Sequence, residues 1–291
     1  MMRGPHQSAM SVRKSDGTIY TETWDTGGNK WYTKMPLVRG IFNLFSMLAL
    51  GYKCLMKSAE ISGIAEDEEP SKLEIWLEKH LGDKVTWLFN ILVSVFAAVI
   101  TVFLFMLLPA TIVKFLGSTF SAPSFLLTIA EGILKIAIFV LYLFAISRTS
   151  DIHRVFQYHG AEHKTIACYE AGDELTPENA MKYTRFHPRC GTSFMLIVLI
   201  ISIIVFSVVT WSSIWMRVAL KILLLPLVVG ISYEIIRLAG RYDNALTRAV
   251  SAPGLWLQNF TTFEPDASML EVAIASMQPC IPENEDEDRI A

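Results

Sequence analysis

Residues 85–113 form a run of 29 positions without a charged side chain. A helix that crosses a bilayer needs about 20 apolar residues, so this stretch reads as one span with overhang. Residues 191–216 are also uncharged and long enough to cross. Two such runs in one chain favour membrane spans over one very large soluble core. Residues 126–147 are apolar apart from Glu131 and Lys135, an i,i+4 pair whose charges satisfy each other. Residues 216–238 carry Arg217 and Lys221 near one end and Glu234 and Arg237 near the other. Long basic side chains near helix ends reach back to the interface, so these charges do not veto a span. The count is therefore about four transmembrane helices, with Pro226 and Gly230 expected to kink the last.

Composition agrees with this reading. The 291 residues are 52% hydrophobic and 18% charged, with a formal net charge of −3. An ordinary soluble domain has about 25% charged residues. Such a chain is neither disordered nor a polycation, which excludes a basic surface built for nucleic acid.

Residues 40–52 are a shorter apolar segment of 13 positions between Arg39 and Lys53. That length suits an interfacial or re-entrant amphipathic helix better than a span. If it did cross, the N-terminus would change sides. The first 35 residues are polar, with Arg3, Arg13, Lys14, Lys30 and Lys34 and no apolar signal core. Basic residues concentrate in 148–191 (Arg148, Arg154, Lys164, Lys182, Arg185, Arg189) and after residue 236 (Arg237, Arg241, Arg248). The opposite connections hold Lys114 and Arg217. The positive-inside rule then puts the N-terminus, residues 148–191 and the C-terminus in the cytoplasm. Of the four cysteines, Cys168, Cys190 and Cys280 fall in these regions and Cys54 lies beside the interfacial segment. Disulfides are not expected there, which leaves metal binding, catalysis or burial.

The polar segments have their own signals. Ser8 to Lys14 and Thr18 to Trp24 flank Asp16-Gly17, a hairpin signature, and residues 26–29 make a Gly-rich loop. Residues 64–70 and 282–288 are acidic, solvated stretches. Residues 268–277 place apolar side chains at helical spacing.

Residues 148–191 carry the chemistry. Asp151 is placed to cap a helix that runs toward Gly172. Inside it, His159-Gly160-Ala161-Glu162-His163 fits H-x-x-E-H, the order of the inverzincin metallohydrolases. Positions i, i+3 and i+4 share a helical face, so His159, Glu162 and His163 point the same way. Two imidazoles one turn apart reach one ion, and the carboxylate is placed as a general base. Against this stands a plain solvated helix face, and Gly160 weakens the helix. On a continuous helix Glu170 returns to that face about 10 Å farther along the axis, too far to share the ion. Thr176 as cap and Pro177 at the first position start a second helix that Pro188 ends. His187 and Cys190 in the turn that follows are candidates to complete the site, or a helix stop and a buried thiol. Cys190 also precedes a helix N-terminus, where a thiolate or a bound phosphate is favoured, and Arg189 adds positive charge or anchors the helix. Glu234 is either a distal carboxylate ligand or the partner of Arg237.

Longer stretches carry a resemblance. Met1 to Pro5, Arg154 to Thr165 (RVFQYHGAEHKT), His187 to Ser193 (HPRCGTS), Pro253 to Gln258 (PGLWLQ) and Thr261 to Pro265 (TTFEP) resemble the bacterial YqhQ-like family over almost the whole chain. Members of that family have a Gly-rich stretch before the Met-Met-Arg-Gly-Pro motif with which this sequence starts. The family is described as a membrane domain of unknown function, predicted to be a metal-dependent enzyme. The resemblance thus implies a metal site at His159, Glu162 and His163, and a location in the bacterial cell membrane. It brings no substrate.

The expected architecture is mainly α. It is a polytopic membrane protein with about four transmembrane helices, an interfacial amphipathic helix and a small N-terminal β-hairpin. Its parts are an extended region (1–35), the interfacial or re-entrant helix (36–58), an acidic linker and helix (59–84), a transmembrane pair (85–147), the cytoplasmic His/Cys segment (148–191), a second pair (192–238) and a cytoplasmic C-terminal region with an acidic tail (239–291). The expected function is a membrane-proximal site for a divalent metal, zinc by its donors, held by His159, His163, His187 and Cys190. Glu162 is the general base of a hydrolase whose substrate is a small molecule or a lipid. The alternative is a channel, transporter or assembly scaffold, homo-oligomeric if subunits close a ring, in which this segment is structural.

Overall fold

The computed structural model describes residues 1–26, 35–63, 83–120, 123–188, 190–207, 214–242 and 244–282. The acidic linker 64–70, most of the loop 26–29, Arg189 and nearly all of the tail 282–288 lie outside the described residues.

The chain divides into two units, one of residues 63–141 and one of residues 1–62 with 142–291. The first holds α2 (Asp83–Val102), a π-helical turn (Phe103–Leu107), α3 (Leu108–Phe120) and most of α4 (Ser124–Ile146). The π turn immediately precedes Pro109, which has no N–H to give the carbonyl of Phe105. Proline loosens the ladder one turn upstream, and the wider turn absorbs the mismatch. Apolar side chains point outward here, Phe96 at 66% exposure among them.

The second unit opens on a sheet of order β1–β2–β3, formed by β1 (Met2–Arg3), β2 (Gln7–Arg13) and β3 (Ile19–Asp25), all antiparallel. The hairpin sits where Asp16-Gly17 predicts. Gly17 takes φ +84°, and Asp16 accepts from the Thr18 N–H at 2.8 Å. The edge strand β1 is an addition to the expected hairpin, with Met2 opposite Ala9.

α1 (Val38–Ile61) follows, longer than the apolar segment that signals it. After α4 come α5 (Ser150–Glu170), α6 (Pro177–Met181), α7 (Gly191–Ser207), α8 (Ile214–Arg241), α9 (Ala245–Thr261) and α10 (Ala267–Met277). The core cluster joins Met2 and Ala9 of the sheet, Ala161 and Cys168 of α5, Ala180 of α6, and Met269, Leu270 and Ala273 of α10. The apolar stripe read in residues 268–277 thus packs inward between sheet and helix.

Three helical stretches among the described residues are long and apolar enough to cross a membrane: Ile91–Thr119, Phe125–Ile146 and Ala219–Arg241. Gly191–Ser207 is a shorter apolar helix whose expected continuation runs into residues 208–213, outside the described residues. These helices are consistent with a lipid bilayer environment. The expected Glu131–Lys135 pair forms, at 2.5 Å.

Three local expectations are corrected. Thr149, extended at φ −74° and ψ 142°, is the N-cap of α5, and Asp151 lies inside the first turn. There its charge still favours the helix dipole. The helix begun by Thr176 and Pro177 stops at Met181 rather than Pro188. The buried Lys164 ammonium takes the carbonyls of Met181 and Tyr183 at 3.0 and 2.8 Å, which draws that backbone out of helical pairing. Glu234, expected as a distal ligand or the partner of Arg237, pairs with Arg39 of α1 through both carboxylate oxygens, and the Arg237 charge acts on the same carboxylate.

Candidate metal centre

The i,i+4 spacing on α5 puts the His159 and His163 rings edge to face with centroids 4.4 Å apart. Each ring is then oriented by a backbone carbonyl from a different element. His159 Nδ1 donates to the Thr261 carbonyl at 2.7 Å, and His163 Nδ1 donates to the Arg185 carbonyl at 2.6 Å. A carbonyl only accepts, so both Nδ1 atoms carry the proton and both Nε2 atoms turn to the site. This is the arrangement by which outer groups aim histidine ligands at a metal.

Gly160 makes the first of these contacts feasible. A Cβ at that position would lie 2.0 Å from the Phe263 carbonyl oxygen. The segment after α9 crosses α5 there, and Phe263 N–H donates to the Phe156 carbonyl at 2.9 Å. The residue that weakens the helix in isolation is the one that lets the Thr261 carbonyl reach His159.

Cys190 arrives from the turn before α7. Its Sγ is 3.2 Å from His159 Nε2 and 3.2 Å from Thr192 Oγ1. The donor atoms of His159, His163 and Cys190 all lie within 4.8 Å of one another, so these three can hold one ion. A tetrahedral zinc with bonds of about 2.0–2.3 Å sets its ligand atoms about 3.3–3.6 Å apart. The donor set, two neutral imidazoles and a thiolate, also suits zinc.

Electrostatics reinforce the grouping. Burial disfavours the His159 imidazolium, but its hydrogen bond and attraction to Cys190, with the nearby charge of Glu162, outweigh that and push it up to about 9. Burial likewise opposes the Cys190 thiolate, but hydrogen bonds from His159 and His163 bring the thiol down to about 5. Without metal the site therefore rests as a thiolate beside an imidazolium.

Two expected members stand next to this trio. Glu162 accepts a hydrogen bond from the Met1 ammonium through Oε1. His187 is buried, its ring centroid 5.7 Å from that of His163, and its Nε2 lies 3.5 Å from Glu170 Oε2. Cys168 is buried away from the site, with its thiol toward the Asp173 and Glu174 carbonyls.

The sequence reading passed over Gln258. It is fully buried on α9, and its side-chain amide pairs with both backbone groups of His187. Oε1 accepts from the His187 N–H at 2.8 Å, and Nε2 donates to the His187 carbonyl at 2.7 Å and to Ser193 Oγ at 3.1 Å. It thereby pins both sides of the turn that presents Cys190. The available signal was an amide directly after the apolar run Leu255 to Leu257. Lys164 and Arg185 act similarly around Glu264, at 3.0 and 3.3 Å, which ties the segment after α9 to the chain beneath the site.

The family described as protein of unknown function DUF1385 matches residues 35–283. The uncharacterized protein YqhQ of Bacillus subtilis is 34% identical over 280 residues, 95% of this chain and 87% of its own length. No solved structure matches. By both the span of the family match and that identity, the chain belongs to the YqhQ-like, DUF1385 family.

Proposed function

We propose that the chain is a multi-pass protein of the bacterial plasma membrane with a metal-dependent hydrolytic site on its cytoplasmic side. His159, His163 and Cys190 are the ligands. The excess of Lys and Arg in 148–191 and after residue 236 supports that orientation. The single observation that carries the reading is the convergence of three donors from two chain segments, all within 4.8 Å. Both imidazoles are held ready by backbone carbonyls at 2.7 and 2.6 Å.

His159, His163 and Cys190 would hold a zinc ion, which would supply a Lewis acid there. The chain's own residues do the remainder. The Thr261 and Arg185 carbonyls keep the two rings in the ligating tautomer. Gln258 holds the Cys190 turn. Glu162, on the same face of α5 as both imidazoles, is the base that takes a proton from an attacking water. His187, with its ring 5.7 Å from that of His163, is a further imidazole beside the trio.

A second reading has its own observation. The Cys190–His159 contact and the lowered thiol also suit a nucleophilic thiolate that works without metal. Metal analysis of the purified full chain separates the two. The metal reading predicts about one zinc per chain, lost in His163→Ala and Cys190→Ser, with Cys190 slow to alkylate until zinc is stripped. No zinc together with fast alkylation of Cys190 selects the thiolate. No zinc and an inert thiol leave a scaffold and end both readings.

A further inference from the structure

We infer that α1 lies flat on the bilayer surface, on the side of the metal site, with one whole face in the lipid. At 100° per residue, Phe42, Phe45, Leu48, Tyr52, Leu55 and Met56 occupy an arc of about 140° along about 21 Å of helix. All six are exposed, Phe45 and Tyr52 at 67% each. Between Phe42 and Met56 that arc holds no charge; Lys53 marks its edge, and the exposed Glu60 ends it one turn later. A contiguous apolar patch of this size on a helix surface needs cover.

The opposite face is already covered by the chain itself, which fixes where α1 can be. Near its start, Arg39 grips Glu234 of α8, Asn43 donates to the Tyr233 hydroxyl at 2.8 Å, and Gly40 is buried against Tyr233. Farther on, Arg3 reaches Met47, Cys54 reaches Met1, and Lys57 pairs with Glu22 of β3. The sheet that supplies these partners shares its core with α5 and α10. Glu234 lies seven residues, about 10 Å, from the Arg241 end of α8. From that end α9 sets out to deliver Thr261 to the site. Both polar anchors of α1 are therefore on the site's side.

A spanning α1 would carry the Lys57–Glu22 pair and the sheet to the far side, away from α5. A helix with a polar face on protein and a clean apolar face outward is the form that rests in the interface plane. Tyr52 has the amphipathic ring that favours headgroup depth. Continuity decides the occupant. α8 is itself apolar enough to span, and the Arg39–Glu234 clamp holds α1 against it. The lipid around α8 thus meets the exposed arc without any further component.

The test uses the full chain in native membranes. A photoreactive benzoyl-phenylalanine replaces Phe45 or, separately, Tyr52, with Thr21 on the exposed side of β3 as control. After illumination, mass spectrometry should find lipid adducts at 45 and 52 and none at 21. Adducts to another polypeptide would assign the face to a second copy or a partner, and no adduct would assign it to water; either overturns the inference. In parallel, N- and C-terminal tags are tested for protease access in inside-out vesicles. Access to both together is expected, whereas tags on opposite sides would show that α1 crosses.

Discussion

The two units of the chain use the same apolar residues in opposite senses. In the unit of residues 63–141, Val95, Phe96 and Val99 of α2 point outward, and packing within the protein asks little of them. In the other unit, Leu257 and Leu270 are fully buried, and so is the polar Gln258, whose Oε1 accepts one hydrogen bond and whose Nε2 donates two. The first unit is specified by what surrounds it, the second by what it encloses. Among the described residues, the donors grouped closely enough to bind an ion lie in the second, where backbone carbonyls and Gln258 fix the side chains and the turn that carry them.

This contrast can be broken by substitution. Leu270→Ala should destabilise the second unit by about 2–5 kcal/mol, the range for emptying a packed leucine site. The matched change Phe96→Ala should alter unfolding by less than about 1 kcal/mol, since lipid fills the space. Thermal unfolding of the purified protein in lipid discs compares them, and equal losses would erase the distinction. Phe96→Arg reverses the order. A charge in a span costs up to about 2.5–3.5 kcal/mol on insertion scales, most at the centre and less toward the end where Phe96 lies, so the variant should fail partly in an insertion assay.

Gln258→Ala should cost about 1–3 kcal/mol, because it strands two backbone groups of the buried His187 turn. It should weaken zinc binding about tenfold or more while Val155→Ala, on the exposed side of α5, does not. Unchanged affinity would show that the turn holds Cys190 unaided.

The smallest effect concerns protons. With His159 pushed up to about 9 and Cys190 down to about 5, the metal-free site at pH 7 holds an imidazolium and a thiolate. The thiolate is already fit to ligate, and the imidazolium is not. Zinc must therefore expel about one proton, and its affinity should rise with pH up to about 9, by about tenfold per unit. Calorimetry in buffers of different ionisation enthalpy reads this directly. Zero protons released would mean His159 is neutral before metal arrives.

Legibility in the sequence followed the range of the interaction. The Asp16-Gly17 hairpin, the Thr176-Pro177 helix start and the shared face of His159 and His163 depend on neighbours within a few residues, and all were readable. The apolar runs were readable because a bilayer asks only for length and composition. Cys190 was a candidate by proximity to the motif, and the fold brings its sulfur to His159. What the sequence could not show is pairing across the chain. Arg39 with Glu234 spans 195 positions. Gln258 reaches His187 across 71. Gly160 looked like a weakness because the segment that needs its missing side chain begins about a hundred residues later. The two-residue β1 carries no periodicity and exists only because β2 offers it an edge.

X-ray absorption at the zinc edge of the purified full chain puts the central claim to its most direct test. The account predicts one sulfur at about 2.3 Å and at least two imidazole nitrogens at about 2.0–2.1 Å. The sulfur contribution should vanish in Cys190→Ser and one imidazole in His163→Ala. A shell without sulfur, or one unchanged by either substitution, would contradict a metal centre built from His159, His163 and Cys190.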